Sequence, residues 1–323
     1  MLPDLSELLA SAYVVSLPMR VRFRGVTHRE ALLLRGPAGW GEFAPFLEYD
    51  DAESALWLRS AIEAAWVGPP KPVRDRIPVN ATVPAVAPAE VAGILARFPG
   101  AATAKVKVAE PGQTLADDVA RVQAVRRHIP KVRVDANGGW TVEQALAALD
   151  ALGDLEYAEQ PCRSVAELAE VRRRTHVRIA ADESIRKGAW ETGPRYDPLR
   201  VVHAGAADVA VVKVAPLGGM RRVVELADAL GVPVVVSSAL DTAVGIGAGL
   251  AAAAALPHLE LACGLGTGGL FESDVAAPRR LVEGTLATAP VEPEPDRLQA
   301  LSATTDRTDW WLARLRRCYA HLV

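Results

Sequence analysis

Two lysines stand one residue apart in an otherwise apolar stretch, "AKVKV" at 104–108. The chain uses lysine sparingly, since only six of its 36 basic residues are lysines. Lysine can lose its proton near neutral pH when its pKa falls, whereas arginine cannot. Lys105 and Lys107 share one face of a strand because side chains alternate with period two. The pair therefore predicts a general base, Lys107, whose pKa the positive charge of Lys105 lowers.

Three carboxylates follow apolar runs further along the chain. They are Asp135 in "VRVDAN", Glu159 in "LEYAEQP" and Asp182 in "VRIAADES", at spacings of 24 and 23 residues. Three anions at one place would repel one another unless a cation lay among them. Oxygen ligands without a nearby histidine or cysteine favour a hard ion, so the pattern predicts bound Mg²⁺, with Mn²⁺ as second choice. The alternative is three unrelated acids that cap helices or pair with arginine.

The elements that must position these side chains follow a regular rhythm. Short β-branched runs alternate with helical patterns about every 25 residues, which indicates βα units with a parallel sheet. Eight such runs indicate a closed barrel, in which catalytic side chains gather at the carboxyl ends of the strands. The predicted strands are 78–83, 103–108, 131–137, 155–161, 177–184, 208–216, 233–240 and 259–266.

A third lysine, Lys213, ends the sixth predicted strand. Strands two and six lie on opposite sides of an eight-stranded barrel, so Lys107 and Lys213 are expected to face the two sides of one ligand. The predicted chemistry is loss of a proton next to a substrate carboxylate, with the metal stabilising the enediolate that forms. These residues leave open whether elimination or reprotonation follows.

The first 75 residues have a different pattern. Three apolar segments, "AYVVSLPM", "EALLLRG" and "GWGEFAP", predict a small antiparallel sheet, and 51–67 predicts helix. We therefore expect an α+β capping domain over 1–75 and a barrel over 76–275. Residues 276–323 form a C-terminal segment whose last helix is predicted to return to the cap.

Composition excludes several classes of protein. A net charge of −3 argues against nucleic acid as a partner. The three cysteines lack metal or redox spacing. The longest uncharged run, 242–257, is too short to span a membrane, and the start lacks a basic secretory n-region. The sequence therefore predicts a cytoplasmic protein with a small-molecule partner, and it indicates no particular oligomeric state.

The segment "GLGTGG" (264–269) matches the dinucleotide pattern GxGxxG. It follows the last predicted strand, opens no evident helix and lacks an acidic residue about 20 residues later, so it does not predict a nucleotide site. The backbone at Gly264 and Gly266 either binds a substrate carboxylate or makes a tight turn, and both interpretations stay open.

The series "KVK", "VDAN", "EQP", "DES" and "VVKV", in this order on successive strands, resembles the muconate-lactonizing subgroup of the enolase superfamily. Three further segments, "GEFAPFLEY" (41–49), "VRVDANGGW" (132–140) and "SSALDTAVG" (237–245), are similar to the o-succinylbenzoate synthases of menaquinone biosynthesis. The resemblance implies an α/β fold, a TIM-like (β/α)7β barrel whose N-terminal α+β cap is completed by the C-terminal segment. It also implies a divalent-metal-dependent hydro-lyase. That family catalyses syn-dehydration of 2-succinyl-6-hydroxy-2,4-cyclohexadiene-1-carboxylate to o-succinylbenzoate.

The same resemblance implies roles for individual residues. Lys107 would take the proton and then assist loss of hydroxide, Lys213 would stabilise the enediolate from the other face, and Lys105 would tune Lys107. The implied ligands of Mg²⁺ are Asp135, Glu159 and Asp182. The residues expected to support or position the substrate are Arg133, Asn137, Ser237 and Ser238, with Gly264 and Gly266.

Other functions remain alternatives. An N-succinylamino acid racemase or a dipeptide epimerase of the same superfamily would use Lys213 as a second base. A metal-independent aldolase would form a Schiff base at Lys213, although the three acids argue against it. A barrel kept only as a binding protein is the non-catalytic alternative.

Overall fold

The N-terminal part of the chain folds into an antiparallel sheet with helices packed on it. The structure is a computed structural model that describes residues 2–23, 25–187 and 197–323. Helix α1 (Leu5–Ala10) precedes the sheet, whose strands β1 (Ala12–Phe23), β2 (Val26–Gly36) and β3 (Gly39–Phe43) lie in chain order. Helix α2 (Asp51–Ile62) follows and continues as a π-helical turn, Glu63–Val67. The predicted small sheet and helix are confirmed.

The middle strand of this sheet is buried on both faces. Leu32, Leu33 and Leu34 are each 0 % exposed. Leu32 and Leu34 belong to the same hydrophobic cluster as Trp57 of α2, whereas Leu33 belongs to a second cluster that includes Leu298 and Leu301 of the C-terminal segment. This explains a continuous apolar run where a half-exposed strand would alternate.

Residues 81–237 carry a seven-stranded parallel sheet with strand order β11-β10-β9-β8-β7-β6-β5. Its strands are β5 (Ala81–Val83), β6 (Thr103–Lys107), β7 (Lys131–Asp135), β8 (Tyr157–Glu159), β9 (Ile179–Ala181), β10 (Val209–Lys213) and β11 (Val234–Ser237). A short strand before them, β4 (Arg76–Pro78), belongs to a separate two-stranded pair. Neighbours in this sheet follow each other in the chain, as the βα rhythm predicts.

The eighth predicted strand, 259–266, is reduced to two bridged residues. Cys263 is bridged to Val79, and Gly264 is bridged to Ser237 at the other edge of the sheet. The Gly264 amide donates to the Val236 carbonyl at 2.9 Å, and the Cys263 amide donates to the Pro78 carbonyl at 2.7 Å. These two residues therefore join both edges of the sheet. The glycines of "CGLGTGG" weaken extended structure, which accounts for the short pairing.

Helices lie between the strands. They are α3 (Val91–Leu95), α4 (Leu115–Arg126), α5 (Val142–Leu152), α6 (Val165–Arg174), α7 (Glu183–Arg186), α8 (Arg200–His203), α9 (Val214–Leu217), α10 (Met220–Leu230) and α11 (Ala243–Ala255). Of these helices, α7 and α9 begin inside the predicted strands 177–184 and 208–216. Thr114, Thr141 and Ser164 begin α4, α5 and α6, and each forms a capping box with the third helical residue. These local signals begin each helix after a short loop that follows the end of a strand.

The C-terminal segment contacts both parts of the molecule. Strand β12 (Thr285–Ala287) pairs with β4, and helix α12 (Pro295–Ala300) precedes α13 (Thr305–Tyr319). Trp311 of α13 is 0 % exposed, contacts Phe43 of β3 with 5.8 Å between ring centroids, and belongs to the same hydrophobic cluster as Trp57 of α2. The boundaries at 75 and 275 stay predictions. Within the described part of the chain, no helix has the length and apolar character needed to cross a membrane.

Candidate active site

Three of the predicted site residues lie side by side at adjacent strand ends. The parallel register pairs Lys107 of β6 with Asp135 of β7, and Asp135 with Glu159 of β8. Lys105 and Arg133, two residues before Lys107 and Asp135 on the same two strands, are also paired. Because side chains two apart share a face, these residues form two successive layers on the same side of the sheet.

The two lysines of "AKVKV" contact the carboxylates of this layer directly. Lys105 Nζ lies 2.8 and 3.0 Å from the two carboxylate oxygens of Glu159 and 3.3 Å from Asp135 Oδ2. Lys107 Nζ donates to Asp135 Oδ2 at 2.5 Å. Asp135 and Glu159 are each 1 % exposed. Two buried carboxylates therefore face two ammonium groups at one end of the sheet.

Asp182 follows β9 and faces a second cationic pair. Lys213 Nζ donates to Asp182 Oδ2, and Arg186 Nε donates to Asp182 Oδ1 at 2.9 Å. Asp182 is 0 % and Lys213 is 6 % exposed. Arg186 was not predicted as a site residue, although its spacing of four residues from Asp182 within a helix is a recognisable signal.

The three carboxylates influence one another electrostatically. Burial raises the pKa of Glu159, and the charges of Asp135 and Asp182 raise it further against the opposing effect of Lys105. Burial also raises the pKa of Asp135, but Lys107 and Lys105 outweigh it and hold that pKa low. For Lys105, burial lowers the pKa, while Glu159 and Asp135 raise it more. Lys105 is therefore a lasting positive charge beside Lys107, as the predicted tuning role requires.

The donor set is suited to a hard divalent ion. Among the residues that the structure describes, no three His, Cys, Asp or Glu side chains are already arranged around one metal position. Lysine and arginine side chains instead balance the charges of Asp135, Glu159 and Asp182. The carboxylates are nevertheless buried, electrostatically coupled and carried by neighbouring strand ends. Oxygen donors of this kind match Mg²⁺ and Mn²⁺.

A narrow cavity of about 30 Å³ lies at this end of the barrel. Ser238 Oγ donates to the Gly264 carbonyl at 3.0 Å and lies 2.8 Å from Thr267 Oγ1. A Cβ atom at Gly264 would lie 2.4 Å from Ser237 Oγ, so glycine is needed for this close approach. The predicted site residues that line the cavity are Lys105, Lys107, Lys213, Asp135, Ser237, Ser238 and Gly264.

Asn137 lines a second, larger cavity and contacts Lys107 of the narrow one. Its Oδ1 atom accepts a hydrogen bond from Lys107 Nζ at 2.5 Å, and its Nδ2 atom donates to Glu183 Oε1 at 3.1 Å. The backbone of Asn137 has φ +48°, a conformation in which asparagine is favoured. Asn137 and Glu183 also line a cavity of about 480 Å³. The cap residues that line it include Phe46, Leu47, Glu48 and Tyr49.

Two predicted substrate-binding residues lie elsewhere. Arg133 is 0 % exposed, donates to Glu156 at 2.5 Å and to the Ala262 carbonyl at 2.6 Å, and stacks on Tyr157. It therefore fills the interior of the barrel, since strand periodicity gives the face of a side chain but not its depth. Gly266 lines a separate groove of about 570 Å³. For both residues the substrate-binding role stays a prediction.

Family comparisons agree with this architecture. Residues 14–65 match the enolase N-terminal domain-like family, and residues 90–293 match the enolase C-terminal domain-like family. Two solved structures share the fold at low sequence identity. A muconate lactonizing enzyme from Pseudomonas putida has a TM-score of 0.72 at 21% identity, covering 90% of this chain and 98% of its own. An N-succinyl arginine/lysine racemase from Bacillus cereus has a TM-score of 0.73 at 20% identity, covering 91% and 97%.

Curated relatives are much more similar in sequence. An o-succinylbenzoate synthase from Mycobacterium tuberculosis is 63% identical over an alignment of 325 positions, which covers 100% of this chain and 98% of the relative. One from Mycobacterium marinum is also 63% identical, over 98% of this chain and 95% of its own length. Enzymes of this superfamily depend on a divalent metal ion. The chain belongs to the o-succinylbenzoate synthase family of the enolase superfamily.

Proposed function

We propose that this protein is an o-succinylbenzoate synthase that dehydrates 2-succinyl-6-hydroxy-2,4-cyclohexadiene-1-carboxylate in menaquinone biosynthesis. The observation that carries the proposal is the convergence of Lys107, Lys213 and Asp135 on one narrow cavity at the carboxyl end of the strands. A carbon acid held there would have a nitrogen base and compensating charge within reach. The 63% identity to enzymes with this name supports the same reaction.

We propose Mg²⁺ as the cofactor, with Mn²⁺ as a substitute. The residues that would hold it are Asp135, Glu159 and Asp182. When bound, the ion supplies positive charge, which stabilises the additional negative charge that develops on the substrate carboxylate during the reaction. The all-oxygen donor set and the superfamily's dependence on a divalent ion support this assignment.

Lys107 is the proposed base and acid. Its Nζ accepts the proton from the carbon next to the substrate carboxylate, and the electrons of that C–H bond move onto the carboxylate. The C–O bond to the hydroxyl group then breaks on the same face, and a C=C bond forms. Lys107 returns its proton to the departing oxygen, which leaves as water. One residue can perform both transfers because both occur on one face.

Lys213 and Lys105 have electrostatic roles in this scheme. Lys213 places an ammonium group at the other side of the cavity, where it stabilises the negative charge that develops on the substrate. Lys105 stays protonated beside Glu159 and Asp135, and its charge disfavours a second ammonium group at Lys107. The lasting charge of Lys105 therefore favours the neutral form that Lys107 needs at the start of the reaction.

The larger cavity between cap and barrel is the proposed site of the succinyl chain. Asn137 contacts Lys107 and lines this cavity, so a ligand bound there continues directly into the narrow cavity. Its wall combines aromatic side chains with cationic ones, as an acyl chain that ends in a carboxylate requires. The basic lining residues proposed to attract that carboxylate are His28, Lys187 and Arg307, and the lining also contains the acidic residues Glu30, Glu48 and Glu183. Arg29 lines the same cavity, but its guanidinium group is held by main-chain carbonyls.

We propose that the enzyme works in the cytoplasm, with no nucleic acid or membrane as its partner. Its cysteines Cys162, Cys263 and Cys318 are free and buried, as is usual in a reducing compartment. The net charge of −3 supports a small-molecule partner over a nucleic acid.

The test compares two reactions of the purified protein with Mg²⁺. Dehydration is followed from the cyclohexadiene substrate, and racemisation is followed from an N-succinylamino acid. Efficient dehydration with slower or absent racemisation supports the proposal. Racemisation without dehydration would replace it with the racemase alternative. Borohydride trapping of a Schiff base at Lys213 would point to an aldolase instead.

A further inference from the structure

Arg29 joins the cap to the end of barrel strand β11. It lies on β2 and is 4 % exposed. Its Nε donates to the Leu240 carbonyl at 3.1 Å, and its Nη2 lies 3.5 Å from the Ala239 carbonyl and also donates to the Ala44 carbonyl. A buried guanidinium group thus links Ala44 of the cap to Ala239 and Leu240, which follow the carboxyl end of strand β11. Hydrogen bonds from a charged donor are stronger than those between neutral groups.

The contacts of Arg29 reach a wall of each cavity. Ala239 and Leu240 line the narrow cavity together with Lys213. On the other side, the guanidinium group stacks on Phe46 with 4.5 Å to the ring centroid, and Phe46 lines the larger cavity. The position of one side chain therefore influences both the reaction cavity and the proposed site of the succinyl chain.

The backbone that Arg29 holds is in an uncommon conformation. Leu240 has φ +65°, in the left-handed region that a leucine rarely adopts. Such a conformation persists only where surrounding interactions determine it, and it is frequent at functional sites. The hydrogen bond from Arg29 to the carbonyl of this residue is one of those interactions. Loss of Arg29 is therefore expected to let residues 238–242 relax.

Arg29 also influences two buried carboxylates at the same junction. Glu42 of the cap accepts hydrogen bonds from the Thr242 and Gly245 amides at 3.0 Å each. Burial and the charge of Asp241 raise the pKa of Glu42, while Thr242 and Arg29 lower it. Burial raises the pKa of Asp241, and Arg29 again opposes this effect. The junction therefore contains a buried cation where two acids meet.

We propose that Arg29 is a positioning residue for the dehydration: it fixes the wall formed by Ala239 and Leu240 relative to Lys213. This inference rests on the proposed function for its kinetic readout. A displacement of about 1 Å in such a site costs roughly 100-fold in rate. Arg29 acts through Ala239 and Leu240, so its loss is expected to affect turnover more than substrate binding.

Arg20 provides a matched control. It is also a cap arginine that reaches across to main-chain carbonyls, with Nε donating to Phe271 at 2.9 Å and Nη2 donating to Glu272 at 3.2 Å. Phe271 and Glu272 line the separate groove of about 570 Å³ rather than the lysine cavity. Removal of Arg20 thus breaks a comparable link between cap and barrel at a different place.

The experiment compares Arg29→Met, Arg29→Lys and Arg20→Met with wild type, at a temperature where circular dichroism shows each variant folded. We expect Arg29→Met to lower kcat about 100-fold with KM changed less than about fivefold. Arg29→Lys keeps the charge, so its kcat is expected to be about tenfold higher than that of Arg29→Met. Arg20→Met is expected to stay within about threefold of wild type in kcat.

A second readout does not depend on activity. Amide hydrogen exchange at residues 238–242 should become faster in Arg29→Met and stay unchanged in Arg20→Met. Wild-type kcat together with wild-type exchange in Arg29→Met would overturn the proposal. If Arg29→Met does not fold, Arg29→Lys decides, since wild-type kcat and exchange in that variant would also overturn it. Absence of dehydration in the wild-type protein would instead refute the proposed function, and the exchange data would still test Arg29.

Discussion

Lys107 and Asp135 occupy paired positions on adjacent strands, and their Nζ and Oδ2 atoms are 2.5 Å apart. The same carboxylate is a proposed ligand of the divalent ion. The proposed base is therefore in direct contact with a proposed metal ligand, so the protonation of Lys107 and the occupancy of the metal site are expected to be coupled. Predictions about either residue must take the other into account.

Replacement of the proposed base should stop the reaction. Lys107→Ala removes the only group in our scheme that both accepts and returns the proton, so kcat should fall at least about 1000-fold. Lys131→Ala is the control, because Lys131 is an exposed lysine at the start of the neighbouring strand β7. Steady-state dehydration assays measure both variants, with circular dichroism as a check of folding. Wild-type turnover by Lys107→Ala would exclude the base assignment.

The two lysines should differ in their response to conservative substitution. Lys213→Arg keeps a positive charge, so measurable dehydration should remain if Lys213 acts only electrostatically. Racemisation needs proton transfer on both faces, so any racemase activity should disappear in this variant. Exchange of the substrate's α-proton with solvent deuterium should persist through Lys107. Complete loss of dehydration in Lys213→Arg would show that its role goes beyond charge.

Removal of the metal ion should abolish turnover, and addition of the metal ion should restore turnover. Chelation is expected to inactivate the enzyme, with recovery on addition of Mg²⁺ or Mn²⁺. Glu159→Gln removes one negative charge at nearly constant shape and should weaken both the metal-dependent rise in Tm and the activity. Glu225→Gln, at an exposed position of α10, should respond to the metal as wild type does. Undiminished activity after exhaustive chelation would rule out a metal-dependent mechanism.

Two glycines of the segment "GLGTGG", Gly264 and Gly268, have different surroundings and should tolerate substitution by alanine differently. A Cβ atom at Gly264 would clash with Ser237 Oγ at 2.4 Å, whereas a Cβ atom at Gly268 would have no described atom within 4 Å. Gly264→Ala should therefore lower the free energy of unfolding by about 1–3 kcal/mol and reduce kcat. Gly268→Ala should change both little. Chemical denaturation and kinetics measure the two effects, and equal behaviour of the variants would contradict the assigned close approach.

Asp274 should make stability depend on pH. Its Oδ1 atom accepts hydrogen bonds from the Ala243 and Val275 amides at 3.0 and 2.7 Å, yet burial raises the pKa of Asp274 to about 6. Because an unfolded aspartate has a pKa of about 3.9, the folded state binds more protons between these values. The contribution of protonated Asp274 to stability is therefore full below about pH 4 and lost as the pH rises through 6.

Asp274→Asn removes this titration. The free energy of unfolding of the variant should rise relative to wild type by roughly 2–3 kcal/mol between pH 4 and pH 7. Denaturant titrations at several pH values measure the difference. Asp296→Asn, at an exposed position of α12, is the control and should follow wild type across the range. A constant difference between Asp274→Asn and wild type would contradict the raised pKa.

Local pattern predicted most of the strands and helices, and the structure brings most of the predicted acidic and basic residues to one end of the sheet, while their roles stay predictions. Asp135, Glu159 and Lys213 stand out because each ends an apolar run, where a charge is unexpected unless it has a function. Long-range partners leave no such local signal. The hydrogen bond from Arg29 to Leu240 joins residues 211 positions apart, and neither residue is unusual in its own segment. The depth of Arg133 was likewise not predictable, because strand period distinguishes faces and not layers.

The link between α13 and the cap has a consequence for the order of events during synthesis. Arg314 of α13 donates hydrogen bonds to the carbonyls of Phe46 and Tyr49 at 2.9 and 2.7 Å and to Ser54 Oγ at 2.9 Å. The aromatic wall of the larger cavity is thus held by a helix that a ribosome makes after the whole barrel. The larger cavity is therefore expected to take its final shape only after α13 has been synthesised and has docked on the cap.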